Sequence, residues 1–288
     1  MNRRPPVRRT RNGQASAGPR PQRLHKLLAQ AGLAARRQAE VWIAAGRVTV
    51  NGQVATVGTC VTGTERITVD GQPVRLAPAR PQAPRLPLYH KPEGEVCTRV
   101  DPQGRPTVFE NLPRLRGARW VGVGRLDVNT SGLLLFTDDG ALADHLMHPR
   151  GGFEREYAVR VRGPVSPEVI ERLRAGVMLH DGPARSLALE SAGGSGHNHW
   201  YRQVVTEGRQ RIVRRMWEAV GCEVSRLIRV RFGPLELPRD LPRGRSRPAT
   251  PAETRALGLT DTTPATGGSG RRENEAPPRR LERDRRRG

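Results

Sequence analysis

Cysteine is scarce in this chain of 288 residues: only Cys60, Cys97 and Cys222 occur, and they are far apart. An odd number of widely spaced cysteines provides no disulfide framework and is typical of a reducing compartment, so we expect a cytoplasmic protein. None of the three lies beside the closely spaced histidines to complete a zinc set. We therefore expect no metal site.

Long apolar runs are also missing. No stretch approaches the roughly 20 residues needed to span a bilayer, and no amphipathic membrane helix stands out. The N-terminus is basic but has no apolar segment of the kind found in secretory signals. We therefore expect neither a membrane partner nor export.

Lysine and acidic residues are the other shortages. Lys26 and Lys91 are the only lysines, so 48 of the 50 basic residues are arginine; against 28 acidic residues this gives a formal net charge of +22. The planar guanidinium of arginine suits phosphate and base recognition. A polyanion is the natural partner, and nucleic acid fits better than a membrane surface.

Composition divides the chain into two predicted domains with flanking tails. Residues 1–22 hold six arginines, four prolines and no acid, and residues 263–288 lack periodicity, so both are predicted to be disordered. Residues 78–87 contain four prolines and predict a semi-stiff linker. The folded domains are then residues 23–77 and 88–250.

The first domain shows two short helical patterns followed by hairpins. Apolar residues at helical spacing predict a helix over 24–31 and a second over 36–45, with Val41 and Trp42 facing inward. Alternating apolar residues then run into two strong hairpin turns, Asn51-Gly52 and Asp70-Gly71.

The second domain is organised around residues 123–136, which read VGRLDVNTSGLLLF. The apolar run 133–136 is short and unbroken, which predicts a strand buried on both faces. Asp127 then stands on a loop beside a rigid strand, where catalytic groups are common. The residues alone leave a second interpretation open, in which Asp127 is a polar residue that caps a turn.

Alternation and helical spacing predict the remaining elements of this domain. We expect strands over 155–161, 200–205 and 224–233, a basic amphipathic helix over 207–221, and a flexible loop over 191–200. In the last strand, alternation turns Leu227 inward and places Arg226 and Ile228 on the other face.

The segment GRLDVNTSGLLL (124–135) resembles the signature of the pseudouridine synthases, in the branch that joins an S4 RNA-binding domain to a small-subunit-type catalytic domain. The KPEG turn at 91–94 resembles the opening of that catalytic domain, and residues 23–53 resemble the S4 domain. The resemblance implies an α+β fold. It comprises an S4 domain of two helices plus hairpins, and a catalytic domain with a mixed, mainly antiparallel sheet and flanking helices.

For the first domain, the resemblance implies RNA contacts. In the family, the paired arginines at Arg36 and Arg37 start the second helix and face RNA backbone, and we expect Lys26 and Arg47 to bind RNA as well. The family usually has a capping serine before the pair, where this chain has Ala35. Loss of an N-cap costs about 1 kcal/mol, so the helix start is less sharply fixed.

For the second domain, the resemblance assigns roles to five residues. Asp127 matches the essential aspartate, and Arg214 in IVRRM would pair with it and keep it ionised in a dry cleft. Tyr157 would stack against the uracil and assist proton transfer, and Leu227 would form the opposite apolar wall. Arg125 would enter the RNA stack in place of the flipped uridine.

The reaction implied by the resemblance is the isomerisation of uridine to pseudouridine. It breaks the C1′–N1 bond and rejoins the base through C5 without net oxidation or hydrolysis, so we expect no cofactor. Residues 104–120 are most similar to members that modify one uridine of 23S rRNA near the peptidyl transferase centre, uridine 2605. The partner would be 23S rRNA or a large-subunit assembly intermediate, and the protein a monomer.

Three alternatives stay open. The chain could perform the same chemistry on another rRNA uridine, or bind RNA through its S4 domain as a non-catalytic ribosome-assembly factor. It could also be an RNA glycosidase that uses Asp127 to release the base. A glycosidase needs an activated water, and no second well-placed acid is evident in the sequence.

Overall fold

The computed structural model describes residues 21–74, 83–115 and 118–259. Most of the predicted N-terminal arm (1–22), part of the predicted linker (78–87) and the whole predicted tail (263–288) lie outside the described residues. Within the described ranges, every helix is too short or too polar to cross a bilayer.

The first domain packs two helices against a small antiparallel sheet with its own apolar core. The elements in chain order are β1 (Gln22–Arg23), α1 (Leu24–Gln30), α2 (Arg36–Ala44), β2 (Val48–Val50), β3 (Gln53–Val54), β4 (Cys60–Val61), β5 (Ile67–Val69) and β6 (Gln72–Val74). The sheet runs β3-β2-β5-β6, and β1 pairs with β4. Both predicted helices and both hairpins are confirmed, and Asn51 and Asp70 adopt the positive φ that such turns require. The domain begins at Gln22, one residue earlier than predicted.

The inward face of α2 differs from the prediction. Val41 is 58% exposed, Trp42 is half-buried, and the buried residues are Ala39 and Ile43. Ala39 and Ile43 are four residues apart and therefore lie on one side of the helix, whereas Val41 is about 200° away from each. The predicted inward position of Val41 was wrong because the buried face of α2 is centred on Ala39 and Ile43 rather than on Val41 and Trp42.

The second domain is built on a nine-stranded sheet. Its elements are β7 (Pro87–Lys91), β8 (Val121–Val123), β9 (Ser131–Thr137), α3 (Gly140–Met147), a 3-10 turn (Pro149–Gly151), β10 (Arg155–Arg162), α4 (Pro167–Ala175), β11 (Val177–Leu179), β12 (Gly182–Ala184), β13 (Ala188–Ser195), β14 (Asn198–Val205), α5 (Ile212–Glu218), β15 (Glu223–Phe232), β16 (Leu235–Glu236), β17 (Ser246–Pro248) and α6 (Pro251–Ala256). The sheet path is β13-β14-β10-β15-β9-β7-β17, with β16 beside β15 and β8 beside β9. All of these pairs are antiparallel except β9 with β15. The predicted α+β fold with a mixed, mainly antiparallel sheet is confirmed.

Strand β9 is the centre of this domain, as predicted from its apolar run. All seven of its residues are buried. Leu133 and Leu135 pack into one apolar core, and Leu134 and Phe136 into another on the opposite side of the sheet. At Gly132, where φ is +110°, a Cβ would lie 2.3 Å from the carbonyl oxygen of Arg229, so only glycine permits the close approach of β9 and β15.

Two predictions in the middle of the domain were wrong. Residues 191–200, predicted as a flexible loop, form the end of β13 and the start of β14. These glycine-rich residues carry no strand signal of their own, but backbone pairing across the hairpin holds them extended. The helix predicted over 207–221 starts only at Ile212, because Arg211 before it takes a left-handed conformation that a helix cannot include.

The second domain is also longer at both ends than predicted. Leu86 is buried in its core and Pro87 belongs to β7, so residues 83–87 are part of the domain rather than linker. Beyond residue 250, α6 is fixed by a capping box between Thr250 and Glu253. Leu257, just after that helix, is buried in the same core.

Candidate active site

The loop that carries Asp127 opens onto a cleft of about 750 Å³. It connects β8 to β9, and the backbone N–H of Thr130 closes it by donating to the carbonyl oxygen of Asp127 at 3.0 Å. Asp127 is half-buried and lines the cleft, so its carboxylate can still reach a ligand. Of the residues expected at the site, Asp127, Tyr157, Leu227 and Arg125 all line this one cleft.

Lys91 holds the Asp127 loop in place. Its side chain is completely buried, and its Nζ donates to the carbonyl oxygens of Asp127 (3.0 Å), Thr130 (2.9 Å) and Pro92 (2.9 Å). Burial lowers the pKa of Lys91, and the nearby carboxylates of Glu95 and Asp127 partly oppose that shift. Sequence reasoning gave Lys91 no role. The available signal was that it is one of two lysines in the chain and sits in the KPEG turn.

Cys97 fixes the residue just before Asp127. The backbone N–H of Leu126 donates to Cys97 Sγ at 3.4 Å, and the thiol donates back to the carbonyl oxygen of Leu126 at 3.3 Å. Burial raises the pKa of Cys97, so it stays a neutral thiol that can make both contacts. The loop is therefore tied down on both sides of the carboxylate.

Tyr157 and Leu227 form apolar walls of the cleft. They come from the neighbouring antiparallel strands β10 and β15, where Tyr157 is opposite Arg229 and Leu227 is opposite Val159. Both side chains are more than 90% buried and line the cleft. The predicted inward direction of Leu227 is confirmed, and contact of the two side chains with a base stays a prediction.

Arg214 is close to the loop but does not form the expected ion pair. Its guanidinium donates to the carbonyl oxygens of Asn129 (2.8 Å) and Val224 (2.7 Å), and among the described residues it has no carboxylate of Asp127 within 4.0 Å. Burial lowers the pKa of Arg214, and the charge of Asp127 partly opposes this. The direct pairing is corrected to a through-space attraction: two backbone carbonyls orient the guanidinium, whose buried Nε has no partner among the described residues.

The expected RNA-binding residues are spread over both domains. Arg125 is exposed at the cleft, Arg36 and Arg37 are exposed at the start of α2, and Lys26 is half-buried on α1. Arg47 is exposed but engaged, because it makes two hydrogen bonds to Asp70 and lies over the ring of Trp42. RNA contact by these side chains stays a prediction.

Sequence reasoning missed the two buried arginines of the cleft, Arg155 and Arg229. Both line it and both are more than 90% buried. The signal was present: Arg155 is two residues before Tyr157 and Arg229 two residues after Leu227, so strand alternation puts each on the face of the residue already chosen. In the described part of the chain, no group of three or more histidine, cysteine, aspartate or glutamate side chains could hold a metal ion.

Comparison with known proteins gives two domain matches. Residues 22–67 match the S4 domain, and residues 85–219 match the family described as RNA pseudouridylate synthase. A solved structure described as pseudouridylate synthase superposes with a TM-score of 0.57 at 28% identity, covering 82% of this chain and 99% of that one.

Several curated relatives carry the name ribosomal large subunit pseudouridine synthase B. The Pseudomonas aeruginosa PAO1 protein is 59% identical over 227 residues, which are 78% of this chain and 59% of that protein. The Salmonella typhimurium LT2 protein is 53% identical over 248 residues, which are 85% of each chain. The Escherichia coli K12 protein is 55% identical over 225 residues, which are 77% of each.

Proposed function

The chain belongs to the RNA pseudouridylate synthase family, with an S4 domain at its N-terminus, and we propose that it converts one uridine of large-subunit ribosomal RNA to pseudouridine. The names of its relatives and its net charge of +22 support an RNA substrate of this kind. We further propose that the protein acts as a monomer. Ribosomal RNA as substrate leads us to propose action in the cytoplasm.

The observation that carries this proposal is the placement of Asp127. Its loop is held by the buried Nζ of Lys91 and by Cys97, and it faces a cleft walled by Tyr157 and Leu227. A fixed carboxylate beside a slot for a flat ring is what cleavage of a base–sugar bond requires. A protein that only binds RNA gains nothing from a negative charge set opposite phosphates.

We propose the following course for the reaction. The target uridine leaves its helix and enters the cleft, where Tyr157 and Leu227 hold the uracil between them. Asp127 weakens the C1′–N1 bond, either by attack at C1′ or by removing the C2′ proton. The free base turns within the walls and bonds to C1′ through C5, which displaces Asp127 from C1′ or is accompanied by return of a proton to C2′. The C5 proton is then lost and N1 gains a proton, so the product is an isomer of uridine.

The arginines around the cleft suit the RNA rather than the base. We propose that Arg125, exposed at the cleft, fills the gap left in the RNA stack, and that Arg214 supports Asp127 through its field. Because the deep groove of double-stranded RNA cannot be read by side chains, target choice would depend on shape and on an S4 domain anchored nearby. Uridine 2605 of 23S rRNA, in free rRNA or an assembly intermediate, is our proposed target.

Tritium release from 23S rRNA labelled at C5 of uridine tests this proposal. Asp127→Asn should lower the release rate by at least about 10³-fold and leave RNA affinity unchanged, because the amide can neither attack nor accept a proton. Asp144→Asn, which alters an exposed residue of α3, is the matched control and should be active.

Each alternative has a distinct outcome. Free uracil without pseudouridine would identify a glycosidase, and RNA binding without tritium release from the wild-type protein would identify a non-catalytic factor. Mapping pseudouridines in rRNA from cells lacking this protein identifies the target uridine. If the pseudouridine that is missing in those cells is not at position 2605, the proposed target uridine is wrong, but the proposed reaction still stands.

A further inference from the structure

The two faces of the β10–β15 strand pair differ in charge balance. On the face away from the cleft, Arg231 binds the carboxylates of Glu156 (2.8 Å) and Glu154 (3.0 Å). Arg202 also approaches Glu156, at 3.3 Å. The acidic side chains of this region are therefore already paired on the far face.

The cleft face has buried positive charge without such partners. Arg229 is 2% exposed and Arg155 is 8% exposed, and their guanidiniums lie 5.4 and 5.3 Å from the ring centroid of Phe232. Burial lowers the pKa of Arg155, and the like charge of Arg229 lowers it further, which indicates that the two charges interact. No carboxylate of the described residues is within 4.0 Å of either guanidinium.

Arg229 also keeps hydrogen-bonding capacity unused. Its Nε donates to the carbonyl oxygen of Leu133 at 2.7 Å, whereas its Nη2 is buried and has no partner among the described residues. Arg155 uses Nη1 for the carbonyl oxygens of Phe153 and Thr206. A buried donor without a partner is destabilising, so its presence in a ligand cleft needs an explanation.

An anion would satisfy both the charge and the open donor. Removing two like charges from water without a counter-charge is costly, and a neutral uracil ring cannot supply one. A phosphate diester can, and arginine's fork matches its oxygens. Any RNA that places a uridine in front of Asp127 brings such phosphates with it.

We propose that Arg155 and Arg229 form a binding site for a backbone phosphate next to the flipped uridine. The inference rests on the proposed function and deepens it, since this contact would hold the sugar so that C1′ faces Asp127. Phe232 supports both guanidiniums from beneath. Arg155 and Arg229 would then be substrate-positioning residues in addition to Tyr157 and Leu227.

Synthetic RNA stem-loops with one neutral methylphosphonate, placed either 5′ or 3′ of the target uridine, test this site with the full-length protein. One of the two neutral linkages should lower the wild-type kcat/KM by about 10- to 100-fold, the range expected for a charge-assisted hydrogen bond. Arg229→Met should lower kcat/KM on unmodified RNA by a similar factor. The two changes together should cost no more than either alone, because both remove the same interaction.

Arg231→Met is the matched control, since it removes an arginine from the same strand on the far face. It should leave the effect of the neutral linkage at its wild-type size. Arg229→Lys keeps the charge and provides a second variant if Arg229→Met does not fold in a thermal unfolding assay. On unmodified RNA, Arg229→Lys should restore activity that Arg229→Met loses. On the neutral-linkage RNA it should restore none of the lost activity.

Two results would overturn the inference: additive losses for Arg229→Met and the neutral linkage, or no effect of either linkage on the wild-type enzyme. Failure of the proposed function looks different, because the wild-type enzyme would then form no pseudouridine on unmodified RNA. In that case the Kd for the stem-loops is measured instead of kcat/KM, again for Arg229→Met, for the neutral linkage and for both changes together. Non-additivity of the Kd changes would still support the phosphate contact, and additivity would refute it.

Discussion

At the scale of single residues, Lys91 shows how one buried side chain can position the carboxylate of another residue through backbone contacts alone. It contacts Asp127 only through the backbone carbonyl, and the same ammonium binds two further carbonyls of the neighbouring turns. A charge placed among three carbonyl oxygens fixes the loop conformation. It also supplies positive potential near a carboxylate that has to remain anionic.

We predict that Lys91→Met lowers kcat by about 10²-fold with little change in KM, because the Asp127 loop loses the hydrogen bonds from Lys91 Nζ to the carbonyl oxygens of Asp127 and Thr130 while the RNA-binding surface is unaltered. The free energy of unfolding should fall by about 1 to 3 kcal/mol. Steady-state kinetics and thermal unfolding measure the two effects. The matched control is Lys26→Met, the other lysine of the chain, which should raise KM and leave kcat unchanged; a rise in KM alone for Lys91→Met would contradict the positioning role.

At the scale of elements, α6 shows how a short helix depends on one carboxylate. Glu253 accepts two hydrogen bonds from Arg247, and it also accepts from the backbone N–H of Thr250, which closes the capping box. The hydrogen bond from Arg247, followed by that from Thr250, lowers the pKa of Glu253 from 4.5 to about 2. A six-residue helix has no stability of its own, so it depends on this cap and on the burial of Leu257.

We predict that acid loosens α6. Because the pKa of Glu253 is lower in the folded state than in the unfolded chain, its stabilisation is complete above pH 4.5 and is lost as the pH falls towards 2. The loss should be about 1 to 2 kcal/mol after allowance for solvent screening. Protection factors of the α6 amides from hydrogen exchange at pH 6 and pH 3 measure it, and Glu253→Gln should show the same low protection factors at both values. Equal protection of the wild-type helix at pH 6 and pH 3 would disprove the prediction.

At the scale of the whole molecule, the two domains are expected to have different roles. The second domain holds the cleft, and the first presents Arg36 and Arg37 at the exposed start of a helix that lacks a side-chain cap. Because the side chain of Ala35 cannot cap this helix, backbone N–H groups at the helix start remain open to a phosphate. Charge on the first domain should therefore contribute to affinity, while chemistry stays with the second.

We predict that Arg36→Gln and Arg37→Gln each raise KM for the RNA by about 3- to 10-fold with kcat unchanged. Each should also reduce the dependence of log K on log salt by slightly less than one unit, the value expected for each phosphate that the protein no longer neutralises. Arg172→Gln removes one exposed arginine from α4 of the second domain and is the control for net charge. An equal rise in KM for Arg172→Gln would mean that general attraction, rather than the S4 helix, binds the RNA.

The sequence by itself determined the parts that local pattern encodes. The buried strand β9, the loop that carries Asp127, the hairpin turns at Asn51 and Asp70, and the inward direction of Leu227 all follow from short periodicities. The family resemblance also came from one contiguous segment, residues 124–135. These features depend on residues close together in the chain, so they can be predicted from local sequence.

Only the tertiary structure decided which distant groups meet. Lys91 reaches a carbonyl 36 positions away, Arg214 binds one 85 positions away in place of the carboxylate of Asp127, and Arg229 binds one 96 positions away. Residues 191–200 became strand because β13 and β14 pair along their length. No local period specifies such partners, because packing of the whole sheet brings them together and burial then selects the hydrogen bonds that satisfy them.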